Sequence, residues 1–81
     1  SHWLVADARS RYGAFLTRNE RYQDAERHLL AAHGVLKDRM PQRAGVAAER
    51  LITLYEAWGK SDDASLWRTR ASDSLTTIST P

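Results

Sequence analysis

The side chains able to do chemistry are scattered along this 81-residue chain rather than gathered in a motif. His28 and His33 stand five residues apart. On a helix that spacing turns them away from each other, so they do not form the one-face pair of a zinc site. Asp24 and the Asp62-Asp63 pair supply carboxylates, yet no base adjoins them in sequence. Asp62 and Asp63 suit the first turn of a helix, where the dipole favours negative charge. Ser10, Ser61, Ser65, Ser72 and Ser74 lack the glycine-flanked turn that exposes a nucleophilic serine. The four glycines, at 13, 34, 45 and 59, are solitary and build no phosphate-cradling loop. No cysteine is present, so there is neither a thiolate nucleophile nor a disulfide framework. The inventory argues against an enzyme, and it implies no cofactor and no metal.

Arginine is the reactive group in excess, with ten against two lysines. Its planar guanidinium pairs with carboxylates and phosphates through a two-point fork. The pI of about 9.4 overstates the charge, because the formal net charge is only +2. So small an excess releases few counterions, which disfavours nucleic acid as a partner. That class stays as an alternative on the strength of Arg9, Arg11, Arg18, Arg21 and Arg27 in the first half.

Elements that position these groups follow from composition and spacing. Hydrophobic residues make up 42% of the chain, and twelve residues are alanine, the best helix former and one that lets helices approach closely. Val5, Ala8, Tyr12, Phe15 and Leu16 recur at the spacing of one helix face between Trp3 and Arg18. Asn19 is expected to end that helix, since asparagine tolerates the left-handed conformation. A second helix carries Tyr22, Ala25, Leu29, Ala32 and Leu36, and Gly34 is expected to weaken it by up to about 1 kcal/mol relative to alanine. Pro41 disfavours a helical Met40. A third helix from about Gln42 places Val46, Ala47, Leu51, Leu54, Tyr55 and Trp58 on its apolar side, and Gly59 stops it. Ser61 is the expected N-cap of a fourth helix bearing Ala64, Trp67, Ala71 and Leu75. No apolar run approaches the roughly 20 residues a membrane span needs, so no insertion is expected.

A shift of 39 residues lays the chain on itself. Arg11 falls on Arg50, Leu16 on Tyr55, Arg21 on Lys60, Asp24 on Asp63, Ala25 on Ala64 and Ala32 on Ala71. Each copy reads as helix, short turn, helix. The expected fold is all-α, with hairpins at residues 3–39 and 42–75 and a flexible tail at 76–81. Ser1-His2 reads as the remnant of a cleaved tag, which makes the chain an expected piece of a longer protein.

The stretch Tyr12-Gly13, Leu16, Tyr22, Ala25, Leu29, Ala32 resembles the tetratricopeptide repeat family, and Leu51, Tyr55, Gly59, Ala64 and Ala71 form its second copy. The second copy departs with Ile52 where a small residue is usual and Arg68 where a large apolar one is usual, with Trp67 beside it as a replacement anchor. The family period is about 34 residues, and the longer repeat here places an extra turn at the end of the second helix, near Arg39. Residues 54–60 with Asp63-Ala64 are also similar to closing repeats of large bacterial signalling proteins such as serine/threonine kinases. The resemblance implies a short α-solenoid, a protein-interaction scaffold. It also implies a groove lined by Asp7, Ser10, Arg11, Ala14, Thr17 and Arg18 of the first helix and Val46, Glu49, Arg50, Thr53 and Glu56 of the third. Arg11 and Arg50 fall at matching points, from which they would jointly grip an acidic protein or peptide. The competing reading makes them ordinary solvated charges. Trp3, Trp58 and Trp67 are expected in the core or between hairpins. The other reading leaves Trp3 or Trp67, with Leu66 and Leu75, on an apolar edge of the end hairpins that would promote a homodimer.

Overall fold

A computed structural model of the chain describes the backbone of residues 2–79 and the side chains of residues 2–71. Four helices follow one another: α1 (Trp3–Arg18), α2 (Tyr22–Arg39), α3 (Pro41–Trp58) and α4 (Ser61–Ser79). There is no strand among the described residues. The fold is all-α, and each helix packs on the next, with α1 also touching α3. α2 reaches Arg39 and runs unbroken through Gly34. α4 continues past Leu75 to Ser79, so residues 76–79 of the expected tail are helical, while 80 and 81 lie outside the described residues. His2, read from sequence as a tag remnant, accepts the Leu4 N–H on its imidazole Nδ1 at 3.0 Å and caps α1.

The two hairpin turns are the same turn made twice. In the first, Glu20 N–H donates to Thr17 C=O and Arg21 N–H to Leu16 C=O, at 3.0 and 2.9 Å. Thirty-nine residues on, Gly59 N–H donates to Glu56 C=O and Lys60 N–H to Tyr55 C=O, at 3.2 and 2.8 Å. This bond pair satisfies the last helical carbonyls and needs one left-handed residue. Gly59 supplies it with φ 82° in the second turn, and Glu20 supplies it with φ 61° in the first. Asn19, expected to be that residue, has φ −97° and donates its side-chain amide to Phe15 C=O instead. Ser61 likewise opens α4 rather than capping it, because Lys60 C=O accepts the first bond, from Ala64 N–H. A β-carbon in the left-handed region costs about 1–2 kcal/mol, part of which glycine returns as unfolded-chain entropy. Glu20→Gly therefore raises stability by about 0.5–1 kcal/mol, visible as a higher Tm in thermal unfolding followed by circular dichroism.

Packing follows the small residues. Ala25 and Ala64, equivalent in the repeat, are both buried, as are Leu16, Leu29, Leu51, Leu54, Tyr55 and Trp67 in the same cluster. A second cluster joins Ala6, Ala32, Leu36, Ala44 and Ala47. Gly13 sets the spacing of α1 on α2, since a β-carbon there would lie 2.5 Å from Leu29 Cγ. Trp67 is buried in the first cluster, whereas Arg68 is exposed and forms an ion pair with Glu56. Trp58 lies against Tyr22 with ring centroids 5.8 Å apart, and Lys60 Nζ sits 3.9 Å from its ring centre.

One face lies opposite to the side its periodicity predicts. Val5, Ala8, Tyr12 and Phe15 form a continuous stripe on α1, but the stripe is exposed. The buried side of α1 is Ala6, Asp7, Ser10, Gly13, Leu16 and Thr17. Val46, expected on the apolar side of α3, is exposed as well. Periodicity located both helices and could not say which side finds a neighbour.

Candidate partner-binding surfaces

The groove residues divide between a sealed crease and an open face. α3 lies beside α1 and reaches Asp7 and Ser10, which are buried, as is Thr17. Thr17 hydroxyl donates back to Gly13 C=O at 2.9 Å, which satisfies it within its own helix. Asp7 cannot be satisfied that way, because a carboxylate needs donors. Arg11 reaches it at 2.7 Å from one turn along α1, and Arg43 at 3.1 Å from α3. Burial raises the Asp7 carboxyl pKa, and the two arginines outweigh that and hold it below the ordinary aspartate value. Its contribution to folding is present above the unfolded pKa and is lost as pH falls through the lowered folded one. Arg50 is half-buried and donates to Ser10 Oγ at 2.8 Å.

Arg11 and Arg50 are thus each engaged, on Asp7 and Ser10 respectively, at the mouth of one crease. Arg43 joins them; it was missed in sequence because its repeat equivalent is Leu4, so the shift gave it no partner. Its guanidinium carbon lies 5.0 Å from the centre of the Trp3 ring, a cation–π contact that fixes Trp3 at the crease as a half-buried side chain. Two guanidinium groups therefore meet one carboxylate and a third meets the Ser10 hydroxyl beside it, and most of their N–H donors are left for another acceptor. Arg18 and Thr53 are exposed and Ala14 is half-buried, with no side-chain bond joining them to this cluster. Glu56 is taken by Arg68. Glu49 lies elsewhere, on the rim of a second concavity.

That second concavity, about 510 Å³, opens between α2, α3 and α4. Ala44, Ala48 and Trp67 form an apolar floor, with His33, Lys37 and Arg70 at the rim. His33 packs on the edge of Trp67 with centroids 4.8 Å apart. Neither histidine is a free surface group: His28 accepts from Arg9 Nε at 3.2 Å and meets the Tyr12 ring edge at 5.1 Å. Burial, then Lys37 and Arg70, hold the His33 pKa below the ordinary value, and burial, then Arg9 and Arg27, do the same for His28. A lowered folded pKa means the unfolded chain takes up protons first as pH drops. Stability is full above the unfolded histidine value of about 6.5 and declines below it. Tm is expected to fall between pH 7.5 and 5.5, and His33→Gln should flatten that dependence. A Tm profile level across this range in the parent chain would contradict the burial argument.

Among the described residues, no three His, Cys, Asp or Glu side chains gather as a metal site, and no helix is long and apolar enough to cross a membrane. No protein-family model, curated protein or solved structure matches the chain.

Proposed function

We propose that the chain is a protein-interaction module of the tetratricopeptide type, a scaffold segment of a larger bacterial regulatory protein, that holds an acidic stretch of its partner at the α1–α3 crease. The observation that carries this reading is the convergence of Arg11, Arg43 and Arg50 on the Asp7 carboxylate and Ser10 hydroxyl. Asp7 orients Arg11 and Arg43, and Ser10 orients Arg50, without neutralising all three, so a carboxylate-bearing peptide finds donors already positioned. Binding is non-covalent: charge attraction steers the approach and two-point hydrogen bonds set the register. The 39-residue repeat and the buried Ala25 and Ala64 support the family resemblance.

Titration with a glutamate-rich peptide tests the reading, followed by NMR through the indole N–H of Trp3, which lies under Arg43. The signal is expected to move in a saturable way that weakens with added salt. Arg11→Glu with Arg50→Glu reverses two of the three charges and should reduce affinity by about tenfold or more, on the scale of about 1.5–3 kcal/mol for hydrogen bonds to charged groups. Equal binding by parent and double variant would refute the crease as the site.

A further inference from the structure

The apolar stripe of α1 lies on a face of its own, away from the Asp7 crease, and the repeat itself says what fits it. Shifted by 39 residues, Val5, Ala8, Tyr12 and Phe15 fall on Ala44, Ala47, Leu51 and Leu54 of α3. Those four α3 residues are the ones that meet α2 and α1: Ala44 and Ala47 in the cluster with Leu36 and Ala32, Leu51 and Leu54 in the cluster with Leu29 and Leu16. They are 5%, 0%, 0% and 0% exposed. At the matching places of α1, Val5 is 58% exposed, Tyr12 48% and Phe15 50%, with Leu4 beside them at 57%. The same seam is present in both copies. It is closed in one and open in the other.

Among the residues with described side chains, the opposite end of the chain carries no matching surface. Where α2 meets α3 it uses Tyr22 on Trp58, Glu26 on the Tyr55 hydroxyl, and Leu29 in the core. The equivalents on α4 are Ser61, Ser65 and Arg68, all exposed. A polar outer helix of this kind finishes a stack of hairpins, whereas an apolar one continues it. Over its described side chains, α4 of a second copy therefore offers the α1 stripe no apolar counterpart.

We infer that α1 is a docking face for an amphipathic helix of the α2 type, running antiparallel to α1. The stripe extends the α2–α3 interface one register upstream. A docked helix would offer leucine and alanine at the spacing of Leu29, Ala32 and Leu36.

The test adds that helix. In an extended chain, Ser1 is replaced by a second copy of residues 20–40, so that the join of Met40 to His2 repeats the native join of Met40 to Pro41. Tm is expected to rise by on the order of 5–10 °C, and amide exchange should slow at residues 5–15. Val5→Lys with Phe15→Lys should abolish the gain in the extended chain while leaving the Tm of the 81-residue chain nearly unchanged, since both side chains are exposed there. An unchanged Tm, or a gain that survives the two lysines, overturns the inference. So does a dimer of the 81-residue chain in sedimentation that the two lysines dissociate, which would make a second copy the occupant. Glutamate-peptide binding at Trp3 reads a different face, so the two readings fail separately.

Discussion

Leu51→Ala is expected to destabilise the chain by about 2–5 kcal/mol, while Tyr12→Ala, at the equivalent place in the first copy, changes it by less than about 1 kcal/mol. Leu51 is wholly buried where α3 meets Leu16, Ala25, Leu29 and Trp67. Truncation there loses the transfer energy of the removed carbons and leaves a cavity that four packed helices cannot collapse to fill. Tyr12 touches His28 and Phe15 at rings 5.1 and 6.1 Å away, on a face open to water. Total stabilities run at roughly 0.05–0.15 kcal/mol per residue, so the first loss is a large share of what so short a chain has. Urea unfolding of both variants checks the pair. Similar losses at the two sites would mean that the α1 stripe is already covered in solution.

Trp67→Ala carries the other large effect, about 3–5 kcal/mol. It differs in kind, because it should loosen α4 before the rest. Among the residues with described side chains, α4 is held mainly by Ala64 and Trp67, both buried, and the helix packs chiefly on α3. Trp67 also carries the His33 edge contact and the Arg70 cation, 4.9 Å from its ring. With Trp67 gone, the apolar floor of the concavity becomes a void beside a helix with few other anchors. Local opening is then less costly than global unfolding. Hydrogen exchange is the suitable measurement: amides of residues 62–71 should lose protection while those of 47–55 keep most of theirs. A uniform loss along all four helices would show that α4 is integral to one cooperative unit.

Much of this fold was legible in the sequence. Helix spacing, Pro41, Gly59 and the 39-residue repeat gave four helices with boundaries close to those observed, and Ala25 and Ala64 are buried as their equivalence required. The side of α1 was not legible by the same reasoning. An apolar stripe shows which face wants a neighbour, not whether the neighbour is present. The buried side of α1 instead includes Asp7, Ser10 and Thr17, whose polar atoms are satisfied by Arg11, Arg43, Arg50 and the backbone. Buried polar side chains of that sort have no hydropathy signature. The left-handed residue of the first turn was within reach, because the shift that pairs Leu16 with Tyr55 also sets Glu20 on Gly59. Residue preference pointed to Asn19, and tertiary register overrode it. Of the candidate site, Arg11 and Arg50 were found by their equivalence. Arg43 was not, since only the pairing of α1 with α3 brings it to Asp7.

The joint between α2 and α3 is Met40 alone, which accepts the end of one helix and begins the other: its N–H donates to Leu36 C=O and its own C=O accepts from Arg43 and Ala44. Such a link has no slack. Hairpins tied by it cannot pivot as beads on a string, and the pyrrolidine of Pro41 denies the joint its obvious escape, straightening into one rod that would trade partners between molecules. The bend at this corner is therefore set by two adjoining residues, Met40 and Pro41.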